Sequence, residues 1–241
     1  AGTVNIILKK SVKATAQREL KAGMMAGNGI SQPNASLTMS DRAGKFSYSM
    51  NLNLLKNSFN RDTPTVEEAF DPSGQLVRVR NSVSADDGGF KNVNFGPRLV
   101  WNFENGDTLT SQSFLNASSF EHKAKRTVQT PVGAPPAYTG MDMVLTNKSD
   151  SFRTDLNLVK KLGDGAKLDV KAGANFNRQQ NDAHRFGYNP AGALALDDST
   201  DTATDETGYT TTGKYSSPIG EGHALAMGWD AGYSERDEDR F

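Results

Sequence analysis

The stretch "KLDVKAGANF", residues 167 to 176, sets Leu168, Val170, Ala172, Ala174 and Phe176 against Asp169, Lys171, Gly173, Asn175 and the following Asn177 without an error. A period of two belongs to a β-strand, whose successive side chains leave opposite faces. The same alternation sets Phe46, Tyr48, Met50, Leu52 and Leu54 against Ser47, Ser49, Asn51 and Asn53. It returns in Val93, Phe95, Pro97, Leu99, Trp101 and Phe103, with Val100 as the exception, in Phe152, Leu156 and Leu158, and in Leu225, Met227, Trp229, Ala231 and Tyr233. No stretch has convincing helical periodicity, so the chain is expected to be all-β.

This pattern predicts a short strand at 3–9 and nine longer ones near 17–26, 35–41, 45–55, 92–104, 107–119, 151–161, 166–178, 208–216 and 222–234. The fifth and eighth are the least regular. Four connections are tight: "DRAG" at 41, "NGD" at 105, "GDG" at 163 and "GEG" at 220, each with Gly or Asn where a positive φ is needed. "GNGISQPN" from 27 is modest. The segments near 56–91, 121–150 and 179–207 are long, polar and rich in Pro, Asp, Thr and Gly, and are expected to be loops. In an up-and-down meander, consecutive connections lie at opposite ends. Short turns and long loops would then occupy opposite edges, as in outer-membrane barrels.

Composition narrows the class further. Only 36% of the 241 residues are hydrophobic and mean hydropathy is −0.59, too polar for a conventional core yet too patterned for disorder. A net charge of −1 leaves no basic surplus for phosphates, so no nucleic-acid partner is expected. No apolar run is long enough for a transmembrane helix, and the first residues lack signal-peptide order. The absence of Cys excludes disulfides and thiolate metal sites.

A tilted strand crosses a bilayer in about 9 to 11 residues, and "KFSYSMNLNLL" and "KLDVKAGANF" have that length with one uncharged face. The expected fold is therefore an antiparallel up-and-down meander forming part of a transmembrane β-barrel, with about nine strands. Phe46, Trp101 and Phe103 lie near short turns, where an interfacial girdle would place them. The alternative is a soluble or cell-surface β-rich binding or adhesion module, whose apolar faces cover each other and whose aromatics are core residues. Bacterial barrels normally close with an even strand number, so nine strands ending in "SERDEDRF" suggest a piece of a larger barrel. Its open edges would be pairing hazards in isolation.

The opening "AGTVNIILKK" resembles the closing strand of the plug in TonB-dependent outer-membrane receptors, of the form G-T-[IV]-N-I-[IV]-x-K. Gly2, Thr3, Val4, Asn5, Ile6, Ile7 and Lys9 match it. The polar linker "KSVKATAQ" then leads into the first strand, as in that family. The resemblance implies a plug strand at 1–10, a linker at 11–16 and the N-terminal part of the barrel at 17–241. It also implies a bacterial outer-membrane location and active uptake of a scarce nutrient. That nutrient is most often a ferric siderophore, sometimes cobalamin, haem, a nickel chelate or a carbohydrate. Implied partners are outer-membrane lipid, TonB acting through the plug region, and the ferric siderophore or other chelate. On the same basis Asn51, Asn53, Asn94, Arg98, Asp155, Asn157, Asp169, Lys171 and Asn175 are expected to line the lumen and face the plug.

Other chemistry has little support in the sequence. His122, His184 and His223 lack metal-ligand spacing, so no metal site is expected. In "HRFGYNP", the group His184, Arg185, Phe186 and Tyr188 could stack on or pair with an anionic chelate from a long loop. The acidic run Asp197, Asp198, Asp201, Asp205 and Glu206 lacks an EF-hand register. No nucleophile motif, phosphate loop or dinucleotide fingerprint occurs, so neither catalysis nor a cofactor is expected.

Overall fold

The structure, a computed structural model, describes residues 16–27 and 30–241. Its strands are β1 (Gln17–Gly27), β2 (Ile30–Ala43), β3 (Phe46–Phe70), β4 (Leu76–Asn102), β5 (Thr108–Val132), β6 (Gly140–Lys161), β7 (Lys167–Tyr188), β8 (Leu194–Pro218) and β9 (Ala224–Arg240). A 3₁₀ turn at Gly163–Gly165 is the sole helical element among the described residues. All nine strands form one antiparallel sheet in sequence order, with β1 and β9 at its open edges. The expected nine-stranded meander is therefore present, and the open sheet is consistent with part of a barrel. The expected plug strand, and all of the linker but Ala16, lie outside the described residues.

One expectation is corrected. The segments 56–91, 121–150 and 179–207 are not long loops. They are outer halves of long strands, and β3 and β4 pair from Phe46↔Trp101 as far as Phe70↔Leu76. The chain reverses only at 71–75, 133–139 and 189–193. Alternation fails in these halves because both faces are polar, but a backbone ladder does not require an apolar face. Once the inner halves pair, each further residue extends an existing register at little entropic cost. The two ends of the sheet thus differ in strand length rather than in loop length.

The reversals at 71–75 and 189–193 share a chemistry that marks them in the sequence, "DPSGQ" and "NPAGA". Asp71 Oδ1 accepts from the N–H groups of Ser73 (2.8 Å) and Gln75 (2.9 Å). Asn189 Oδ1 accepts in the same way from Ala191 and Ala193, both at 3.0 Å. Gly74 and Gly192 take φ of 85° and 78°, where a side chain would be strained.

Among the described residues, no second layer covers this sheet. Ala166 is the only buried apolar residue among those described, and no large side chain is fully buried. The chain exposes 16861 Å², against roughly 10,500 Å² for a compact monomer of this size. A sandwich would hide the apolar stripes between two sheets. Here they lie open, with Leu20 74% and Met227 57% exposed, so the two-layer alternative does not describe the fold.

The paired turns yield a pH prediction. Hydrogen bonds from Ser73, then from Gln75, lower the Asp71 carboxyl pKa below 3.8. A depressed pKa stabilises the turn above the unfolded value, and that contribution disappears as pH falls through the folded value. Acid should therefore accelerate amide exchange at Ser73 and Gln75 while leaving Ala191 and Ala193 little changed beyond the intrinsic pH dependence. In Asp71→Asn the difference between the two turns should vanish.

Candidate functional site

In an antiparallel ladder, directly opposed residues share a face, so the register assigns each side chain to one side of the sheet. Asn51, Asn53, Asn94, Arg98, Asp155, Asn157, Asp169, Lys171 and Asn175 all fall on one face. Side-chain bonds hold four of them on that face. Asn116 Nδ2 donates to Asn94 Oδ1 at 2.6 Å, Arg98 Nη1 to Gln112 Oε1 at 3.2 Å, and Asn157 Nδ2 to Asp169 Oδ1 at 3.3 Å. The face is predominantly polar, interrupted by Leu55, Val100, Phe114 and Val159.

The opposite face carries a band of apolar residues. On β3 it runs from Phe46 to Leu54, eight steps of about 3.4 Å or roughly 27 Å along the strand, which at a tilt of about 35° is about 22 Å of height, comparable with the ~25 Å apolar band of membrane barrels. The band crosses the sheet obliquely. A single register row runs Leu20, Leu37, Leu52, Phe95, Leu115, Phe152, Phe176, Thr207 and Glu235. On β1 this row lies just inside the lower edge of the band, beside Arg18; on β9 it has passed the upper edge at Glu235. The band therefore shifts by about one residue per strand, and a ~3.4 Å step over a ~4.8 Å strand spacing corresponds to strands tilted by about 35°. Transmembrane barrels tilt their strands by about 35 to 45°.

Aromatic rings mark both edges of the band. Near the short turns Phe46 lies 5.1 Å from Trp101 and 6.1 Å from Tyr48 between ring centroids. In the middle of the β9 stripe the Trp229 indole lies over Gly213 and fills the space a side chain there would need. At the other edge Phe152 stacks on Phe176 at 6.2 Å, and Tyr209 meets Phe176 edge-on at 5.9 Å. One mid-band pair of hydroxyls satisfies itself: Ser113 Oγ and Thr154 Oγ1 are 2.8 Å apart. That pair accounts for the weak alternation of β5, whose hydroxyls need not face water. The β4–β5 ladder skips Gly96 and Pro97, since proline has no N–H to give.

The structure divides the group His184, Arg185, Phe186 and Tyr188 between two faces of β7. Arg185 lies on the polar-wall side, ion-paired with Asp198. His184, Phe186 and Tyr188 lie on the other side. His184 Nε2 is 2.7 Å from Asp197 Oδ1, its ring 4.1 Å from Phe186, and Tyr188 Oη donates to Asp142 at 3.4 Å. All four are in a paired strand rather than a loop.

A second group has no counterpart in the sequence analysis. Just outward of the amide wall, on the same face, Phe59, Phe120 and His122 form a cluster with centroid separations of 6.4, 5.7 and 6.2 Å. His122 Nε2 is 3.0 Å from Asp86 Oδ1, and Arg61 reaches the other carboxylate oxygen at 3.9 Å. Gly88 makes room for it, since a Cβ there would lie 2.6 Å from Phe59 Cζ and 2.5 Å from the Glu121 carbonyl oxygen. Its sequence signal is Gly88, which stands opposite Phe59 and His122 on the neighbouring strands, visible only once those strands are aligned.

No family model matches the chain, and no curated protein matches it. Among solved structures, the outer membrane transporter YddB from Escherichia coli gives a TM-score of 0.30 at 10% identity, over 87% of this chain and 35% of that one. The chain thus spans well under half of that transporter. The Clostridium perfringens NetB toxin in its membrane inserted form gives 0.17 at 6% identity, over 83% of this chain and 96% of that one.

Substituting Gly88→Val should force the Phe59 ring away from His122 and destabilise the outer β3–β4–β5 ladder by about 1–3 kcal/mol. Amide exchange should accelerate around Phe59 and Gly88 but not in the row of Phe95. Unchanged exchange at Gly88 would show that the ring does not depend on the missing side chain.

Proposed function

We propose that this chain is the N-terminal part of the barrel of a TonB-dependent outer-membrane receptor that actively takes up a scarce nutrient, with a ferric siderophore as the ligand class. The observation that carries the membrane reading is the oblique apolar band: it matches a bilayer in height, keeps to one face, is bordered by aromatics and, among the described residues, has no protein layer over it. Hydrocarbon would cover that face, while the amide and charged wall would line the lumen and hydrogen-bond a plug and ordered water. The receptor reading rests on the resemblance of residues 1–10 to the closing plug strand. The location that follows is the bacterial outer membrane, and the role is transport rather than catalysis.

Recognition is assigned to the outer part of the lumen wall, where Phe59, Phe120, His122 and Arg185 face the same side. Aromatic rings, an imidazole and a guanidinium suit a planar or anionic chelate. Energy would reach this wall through the plug, which TonB engages.

Two experiments test the proposal. In the intact protein, Ala172→Arg should cost roughly 2–4 kcal/mol of folding stability in bilayers, while Asn175→Arg, on the polar face, should cost less. Equal costs would contradict the assignment of faces. For transport, iron-starved cells carrying the intact protein should accumulate a ferric chelate only when TonB is present, and His122→Ala should weaken chelate binding. Uptake that persists without TonB would point to a passive pore.

A further inference from the structure

On the apolar face of β3 to β6, outward of the band, Lys56, Lys91, Ser119 and Lys148 form one row of register partners, with Asp150 standing between Lys148 and the band on β6. Lys56 and Lys91 are directly opposite, an arrangement that like charges disfavour. None of the three lysines is ion-paired with a described residue. Glu121 feels the charge of Lys91 without bonding it, so three cations at one level of the sheet keep ammonium groups open to an anion from outside the chain.

The space around them has the shape of an amphiphile. Outward of the row lies a polar basin of ≈ 490 Å³ rimmed by Lys56, Lys91, Lys123 and Lys148. Gly89 contributes no side chain to it, so backbone forms part of its floor. Of the acidic residues at the rim, Glu121 is already held by Lys123 at 2.9 Å, leaving Asp87 as the other. Inward of the row lie two grooves. One, of ≈ 360 Å³, runs along Ala35, Leu54 and Val93 below Lys56 and Lys91. The other, of ≈ 310 Å³, runs along Val93 and Ala117 below Lys91 and Lys148, with Asp150 at its side.

We propose that this stack is a binding site for a phosphorylated membrane lipid, with the headgroup phosphate among Lys56, Lys91 and Lys148 and the acyl chains in the two grooves. The proposal rests on the membrane reading given above, which puts the lysine row at the boundary between hydrocarbon and water. Charge complementarity selects an anionic headgroup over a zwitterionic one, because each ammonium lacks a carboxylate of its own. The grooves select a lipid over a free anion, which would leave them empty. The site would fix a few lipids against the outer wall, opposite the aromatic and histidine cluster of the lumen side.

Native mass spectrometry of the intact protein in detergent tests this, with phosphatidylglycerol and phosphatidylcholine of identical chains supplied in equal amounts. The protein should retain the anionic lipid by roughly fivefold or more over the zwitterionic one, about the effect of a single lysine near a charged headgroup. In the combined variant Lys56→Gln, Lys91→Gln, Lys148→Gln the ratio should fall to near one. Lys160→Gln, on the same face but at the short-turn edge, should leave it unchanged. An unchanged ratio in the combined variant, or an equal loss in Lys160→Gln, overturns the site. So does complete displacement of the lipid by excess inorganic phosphate. Equal adducts of both lipids on the unaltered protein refute the headgroup site alone, whereas no adduct of either also refutes the membrane reading beneath it.

Discussion

The long strands of this protein carry an apolar stripe, yet nothing among the described residues packs against it. The stability of a soluble β-protein comes from burying such stripes between layers, at about 25 cal/mol per Å² of apolar surface. With Ala166 the only buried apolar residue among those described, that contribution is missing here. What the chain does supply is its backbone ladder, which runs through nine strands with few breaks. A hydrocarbon surrounding demands this ladder, because no solvent is present to take an unpaired N–H or C=O. The interruption at Pro97 costs no donor, since the residue has none to lose.

The polar wall and the apolar band are one feature seen from two sides. A shift of one residue in any register would exchange them, so ladder registry fixes both the surface that is apolar and the surface that is polar. Sheet shear adds a further condition, that the band climb across the register as the strands tilt. It does, from Leu20 on β1 to Trp229 on β9, and the rings of Tyr209 and Tyr233 follow the same slope as Phe152 and Phe176. An accidental run of alternating residues would not keep this slope.

Beyond the band, the long hairpins carry the chemistry. They bring Phe59, Phe120, His122 and Asp86 together on the wall side and the row of Lys56, Lys91 and Lys148 on the other. Neither group could be read from the sequence, because the segments that hold them have no apolar period and contain Pro64, Gly88 and Gly89. Their polarity resembles that of loops. The turn pairs "DPSGQ" and "NPAGA" do mark where the chain reverses, and would have shown that so short a turn leaves the flanking residues free to pair. The group at 184–188 shows the converse error: adjacent in sequence, its members separate once a strand sends alternate side chains to opposite faces.

By itself the sequence determined that the chain is built of β-strands, that these alternate, and which side chains within each strand lie opposite its apolar stripe. Each of these follows from a local rule, the period of two, which requires no knowledge of a partner strand. Only the tertiary structure decided how far the strands run, how steeply they tilt, and which residues from different hairpins meet, since each of these depends on register between strands. Lys56 and Lys148 lie far apart in the chain and stand in one row because two intervening ladders place them there.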